Sequence, residues 1–299
     1  MALGLERSAW KLHAGRVRPG RDDVELPEDH PGFSDRAYRA RRARIAAVAE
    51  SYEPGSTIPD VPYTDVENDV WATVSRELGA KHARLACRAY RDAAERLQLP
   101  RDRVPQLQEV NERLAELTGF RVRPVAGLVP ARDFYGALSD RTFFATQYVR
   151  HHSVPFYTPE PDVIHELIGH VCMLGSDSFA DLYELAGGAS RRTTSDEALE
   201  FFSRVFWFTI EFGVVREGGE LRAYGAGLLS SYGELDVFRR AEMRPWDVRT
   251  MGSTEYDITK YQPVIFAAAS DGDLVRDLSV FFGAYDEDAY QSQVRGAHV

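Results

Sequence analysis

The chain has 299 residues, 44% of them hydrophobic and 27% charged, an ordinary balance for a globular protein large enough to bury a water-excluding site. Its net charge of −10 argues against a nucleic-acid binder, and no run of about 18 apolar residues is available to span a membrane. Two cysteines, Cys87 and Cys172, make no disulfide framework, and "MALGLERSAW" is no secretory leader, so the expected compartment is the reducing cytoplasm.

Residues 1–24 are rich in Arg, Gly and Asp without periodicity and read as a loosely packed tail. The stretch 34–51 reads as a helix whose solvated face carries Arg36, Arg39, Arg41, Arg42 and Arg44. "VENDVWATVSREL" and "KHARLACRAYRDAAERL" read as two further helices. Leu107, Val110, Leu114 and Leu117 recur at i, i+3, i+7 and i+10 and are followed by Gly119, an amphipathic helix with its stop signal. Between 122 and 161 prolines break the pattern, and "TFFATQYV" suits an extended segment. A helix is expected after Asp162. Another is expected to start at Thr194, where Thr194-x-x-Glu197 has the spacing of a capping box, and to run through "ALEFFSRVFWFTIEFGVV". "ELRAYG" and "VRTMGS" read as short strands. The sum is a mainly α protein of the α+β class: one helical domain over 25–288, small peripheral sheets, and a C-terminal tail over 289–299.

One short motif carries chemistry. "HELIGH" places His165 and His170 five residues apart, one more than the H-E-x-x-H of zinc peptidases. Five residues of α-helix turn through about 500°, which leaves the two rings about 140° apart. They meet at one atom only if the helix starts or distorts between them; otherwise one is a core histidine and the other lies at the surface. Glu211 stands alone in the apolar run "FWFTIEFGVV", where a carboxylate needs either a metal or a buried arginine. Two histidines and one carboxylate make the facial triad of non-haem iron, with positions left open for other ligands. The same three would suit a zinc hydrolase with Glu166 as base, although the fixed i, i+1, i+4 geometry of that chemistry is missing. A binding protein without turnover is the third alternative.

"TQYVRHHSVPFYTPEPDVIHELIGHV", "FWFTIEFGVV" and "AYGAGLLSSYGEL" resemble the signature segments of the tetrahydropterin-dependent aromatic amino acid hydroxylases. "HPGFSDRAYRARR", "VPQLQEVNERLAELTGFRVRPVAGL" and "ITKYQPVIFAAAS" extend the likeness over residues 28 to 285, closest to phenylalanine hydroxylase catalytic domains. The resemblance implies a mainly helical catalytic fold, Fe(II) held by His165, His170 and Glu211, a tetrahydropterin, dioxygen, and L-phenylalanine as substrate. It places Glu166 toward the pterin and the iron, Phe134 stacked on the pterin ring, and Val129 and Ala131 in the loop whose backbone meets the pterin. Some relatives have serine where Ala131 stands. The resemblance makes Arg150 the clamp for the substrate carboxylate, held by Asp162, with Thr158 and Ser230 as nearby polar groups and Trp207 beside the substrate ring. Taken alone, Trp207 would be read as core packing. Cys172 stands where many relatives have proline, two residues after the second histidine; it is either a pocket residue that shifts oxygen transfer from the para to the meta carbon or an inert buried thiol. The terminus "YDEDAYQSQVRGAHV" lacks the apolar heptads of a tetramerisation helix, so a monomer is expected.

Overall fold

The computed structural model describes residues 26, 28–258 and 260–295, so the tail expected over 1–24 lies outside the described residues. Helix α1 (Pro31–Ser34) leads into α2 (Arg36–Glu50), whose N-cap Asp35 accepts from Tyr38 N. Helix α3 (Asp65–Leu85) opens on a capping box between Thr64 and Glu67 and buries Val70, Trp71, Val74 and Leu78. It breaks at Ala86 and Cys87, because Cys87 N donates to Ala223 O across the fold; α4 (Arg88–Leu97) begins afresh with Cys87 as its cap. The stretch "KHARLACRAYRDAAERL" is therefore split between two helices. Helix α5 (Leu107–Thr118) is the amphipathic one anticipated, burying Leu107, Val110 and Leu114. Gly119 ends it in the left-handed region at φ 77°.

Strands β1 (Arg121–Pro124) and β2 (Thr142–Ala145) pair in parallel with α6 (Ala131–Leu138) as their crossover. This unit delivers the chain at Thr146 into the interior. The helix after Asp162 is a π-helix over His165–Val171, followed by an α-helical turn over Cys172–Leu174. Helix α7 (Asp177–Arg192) packs beside it, and α8 (Asp196–Phe206) runs directly into a second π-helix, Trp207–Glu211. The cap of α8 is Ser195, whose Oγ accepts from Ala198 N, while the Thr194 hydroxyl bonds the Glu287 carboxylate instead. The helix so begins one residue later than the Thr194-x-x-Glu197 spacing predicted. Nor does it continue through Val214 and Val215, which lie in strand β3 (Val214–Glu217).

Strand β3 turns through Gly218 and Gly219, both at positive φ, into antiparallel β4 (Glu220–Ala223). After α9 (Ala226–Ser230) and α10 (Glu234–Val237), β5 (Glu242–Pro245) and β6 (Val264–Ala268) complete a four-stranded sheet in the order β4-β3-β6-β5. "VRTMGS" is a helix, α11 (Val248–Ser253), and not a strand, because Asp247 caps it through Thr250 N and its Met251 and Gly252 are buried. Helices α12 (Asp271–Ala284) and α13 (Glu287–Arg295) close the order, the latter lying across the 288/289 boundary. One continuous apolar core joins α3 to α12, with a small satellite of Ile45, Val61 and Tyr148. No helix among the described residues is long and apolar enough to cross a membrane.

Candidate metal centre and substrate cleft

The two π-helices build the site. In the first, Cys172 N donates to Leu167 O, five residues back, where an α-helix would reach only four. The wider turn takes in the extra residue and brings His165 and His170 onto one face, which is the distortion their spacing demanded. The rings stand 4.8 Å apart, nearly perpendicular, with their Nε2 atoms at 3.1 Å. The second π-helix ends on Glu211, whose Oε1 lies 3.1 Å from His170 Nε2 and Oε2 3.8 Å from His165 Nε2. One ligand atom from each of the three falls within 4.8 Å of the others.

The outer nitrogens are committed elsewhere. His165 Nδ1 lies 2.9 Å from Ser230 Oγ, and that hydroxyl already donates to Ala226 O at 2.8 Å. Ser230 Oγ is thus left to accept, which puts the proton of His165 on Nδ1 and its lone pair on Nε2, facing the centre. His170 Nδ1 lies 2.8 Å from the buried Tyr183 hydroxyl. Two imidazoles oriented from behind and one carboxylate, all aimed at a common point, fit a divalent metal.

Electrostatics follow the geometry. Burial and the neighbouring His170 lower the pKa of His165 to about 4, against the pull of Glu211. Burial also works against a charge on His170, but the Glu211 carboxylate outweighs it and raises that pKa. Glu166 lies with its Oε1 3.2 Å from Thr146 Oγ1; burial pushes its pKa up to about 7, against His170 and the Thr146 bonds.

Arg150 and Asp162 are fully enclosed, at 4% and 0% exposure, and form a bidentate pair: Nε to Oδ2 at 2.9 Å and Nη2 to Oδ1 at 2.7 Å. Asp162 also accepts from Arg150 N and from His165 N, so one carboxylate holds the guanidinium and caps the histidine helix. Burial raises the pKa of Asp162, but Arg150 more than reverses this and holds it below the usual range. Among the described residues, the Nη1 side of Arg150 keeps only a 3.5 Å contact with Pro155 O. Thr158, on the same loop, donates to Glu160 O.

Trp207 lies flat on Tyr256, ring centroids 4.2 Å apart, and its Nε1 donates to Gln262 Oε1 at 3.0 Å. Phe134 touches Phe143 edge-on at 5.8 Å, and Phe143 in turn lies 4.9 Å from His170, so two ring contacts join Phe134 to the histidine pair. Val129 is partly buried, and buried Ala131 is the first residue of α6. Ser230 is placed on His165. Cys172 is buried against the Tyr90 hydroxyl, which itself donates to Ile168 O in the π-turn; burial pushes its thiol up to about 12. Sequence reasoning missed Tyr183 and Gln262. They meet their partners across 13 and 55 residues, and no local pattern marks such contacts.

A helical fold with two histidines and a glutamate converging beside a buried arginine–carboxylate pair fits the facial triad of a non-haem metal oxygenase. Residues 17–288 match the profile of the biopterin-dependent aromatic amino acid hydroxylases, and the chain belongs to that family. It is therefore an iron- and pterin-dependent monooxygenase of aromatic amino acids, and the hydrolase reading falls away. It is 46% identical over 267 residues to phenylalanine 3-hydroxylase of Streptomyces coeruleorubidus, covering 89% of this chain and 96% of that one. It is 43% identical to phenylalanine-4-hydroxylase of Rattus norvegicus over 86% of this chain, and 47% identical to tyrosine 3-monooxygenase of Mus musculus over 84%. Those matches span only 58% and 51% of the two animal proteins. Among solved structures it resembles phenylalanine hydroxylase of Colwellia psychrerythraea, with a TM-score of 0.74, 31% identity, and 83% and 94% of the two chains covered. The Chromobacterium violaceum phenylalanine hydroxylase with bound oxidised Fe(III) gives 0.70 at 27% identity, covering 81% and 94%.

Proposed function

We propose that this protein hydroxylates the aromatic ring of L-phenylalanine, with Fe(II) held by His165, His170 and Glu211, and with a tetrahydropterin and dioxygen as co-substrates. The observation that carries the reading is the convergence of His165 Nε2, His170 Nε2 and a Glu211 oxygen beside the enclosed Arg150–Asp162 pair. Bound iron and pterin supply dioxygen activation and the transfer of one oxygen atom to the ring.

The chain's own residues bind and aim. Arg150, immobilised by Asp162, offers its Nη1 side to the amino acid carboxylate, with Thr158 close along the loop. Trp207, held flat by Tyr256 and Gln262, forms a wall for the substrate ring. Phe134 provides a stacking face for the pterin, with Val129 and Ala131 along its edge and Glu166 across from it. The working unit in this reading is residues 25–288, acting as a cytoplasmic monomer, which sedimentation tests.

A second reading concerns the carbon attacked. Cys172 stands where the resemblance sets proline in many relatives, its N–H supplies the π-helical bond to Leu167 O that proline cannot make, and the Streptomyces relative is a 3-hydroxylase. These favour meta-tyrosine as product. The test is incubation of iron-loaded protein and tetrahydrobiopterin with L-phenylalanine, L-tyrosine and L-tryptophan separately. Phenylalanine turnover to a tyrosine isomer is expected. Absence of pterin-dependent oxygen uptake with all three overturns the proposal, and para-tyrosine as sole product removes the second reading.

A further inference from the structure

From Ser230 to Asp236, every second residue holds a partner elsewhere in the chain. Ser230 bonds His165, Glu234 accepts from Gln262 N, and Gln262 holds Trp207. Asp236 pairs with the ammonium of Lys81 on α3, a lysine only 7% exposed. The remaining member is Tyr232. Its carbonyl accepts from Lys81 Nζ at 2.7 Å, and the same ammonium sits 3.2 Å from its ring centroid. The ring stacks on Phe156, centroids 4.2 Å apart and 29° from parallel.

Phe156 lies on the loop between Arg150 and Thr158, yet it is 37% exposed and so contributes little to the core. Pro155, beside it, is the residue whose carbonyl lies against Arg150 Nη1. The stack therefore joins the wall that orients a metal-binding histidine to the loop that carries the carboxylate clamp.

We propose that Tyr232, Phe156 and Lys81 are positioning residues: Tyr232, fixed by Lys81, is the stop against which Phe156 seats the 153–158 loop, and so sets where Pro155 and Thr158 stand beside the open edge of the amino acid clamp that Asp162 holds. This rests on the reading of Arg150 as the clamp. A misplacement of about 1 Å at such a clamp is enough to separate binding from productive transfer.

The test compares Phe156→Ala, Tyr232→Ala, Tyr232→Phe and Lys81→Met in iron-loaded protein with L-phenylalanine and tetrahydrobiopterin. KM, kcat and the ratio of hydroxylated product to oxygen consumed are the readouts. Loss of the stack is worth up to about a tenfold rise in KM for phenylalanine. Phe156→Ala and Tyr232→Ala are expected to show that rise, with kcat changed less than threefold and more oxygen consumed without product. Tyr232→Phe keeps the stack and is expected to behave as the unaltered enzyme; Lys81→Met is expected to fall between. Phe156→Ala alters an exposed side chain, so it decides the matter even where a Tyr232 variant folds poorly. The proposal is overturned if Phe156→Ala keeps KM and coupling within twofold of the unaltered enzyme, or if Tyr232→Phe loses as much as Tyr232→Ala. Failure of the unaltered enzyme to turn over phenylalanine overturns the functional reading instead.

Discussion

Removing one oxygen atom tests whether the metal centre is tuned from behind. In Tyr183→Phe the ring keeps its edge contacts with Phe120 and Phe206, at 6.3 and 6.2 Å, but His170 Nδ1 loses its partner at 2.8 Å. In the metal-free protein the imidazole has a remedy. It can move its proton to Nε2 and donate to Glu211 Oε1, 3.1 Å away. Metal binding claims Nε2, so the proton must return to Nδ1, which in the variant points into an apolar surround. An unsatisfied buried donor of this kind costs about 1–3 kcal/mol. At about 1.36 kcal/mol per decade this weakens metal affinity by about 5- to 160-fold, a range that brackets the usual effect of losing a partner behind a ligand. The assay is anaerobic titration of metal-free protein with Fe(II) or Co(II), with melting temperature followed in parallel. The metal-free melting point is expected to change little, while the metal-induced rise shrinks. An affinity within threefold of the unaltered protein would refute the claim that Tyr183 orients His170.

Arg150→Met leaves the Asp162 carboxylate buried at 0% exposure without its partner; the expected cost is about 3–5 kcal/mol in denaturant unfolding, with loss of phenylalanine binding. Gly169→Ala would put a Cβ 2.8 Å from Ala226 O inside the first π-helix, so a destabilisation of about 1–3 kcal/mol and weakened metal binding are expected from thermal melts and metal titration. His82, buried and bonded to Leu229 O, has its pKa lowered to about 4 by burial. Since the unfolded chain takes up this proton near pH 6.5 and the folded one does not, stability is full above that pH and falls as acid is added toward pH 4. Between pH 7 and 5 the loss from this group is about 2 kcal/mol, and His82→Gln is expected to flatten the urea-denaturation profile over that window.

Local signals were legible where the chain interacts with itself at short range. The stripe Leu107–Val110–Leu114 with Gly119 translates directly into structure, and of the two readings the five-residue histidine spacing left open, the structure takes the distorted helix. Tertiary bonds explain the misses. Glu287 draws Thr194 away from its helix, Ala223 O interrupts the helix at Cys87, and Asp247 converts an apparent strand into α11. For the site, the resemblance named the triad and the arginine clamp. The supports behind them come from Tyr183 on α7 and from Gln262 just before β6, places that neither periodicity nor motif spacing could indicate.

The wide first turn also bears on how this sequence can drift. Deleting Ile168 would leave His-Glu-Leu-Gly-His, the spelling of a zinc peptidase, one codon from the present one. The wide turn exists to absorb that one residue, so without it the segment could close into an ordinary α-turn with the two histidines still on one face at i and i+4. The two spellings therefore differ by one absorbed residue in a single turn, and what keeps the chemistries apart is what surrounds the rings, Tyr183 behind His170 and Ser230 behind His165, not the direction of the chain.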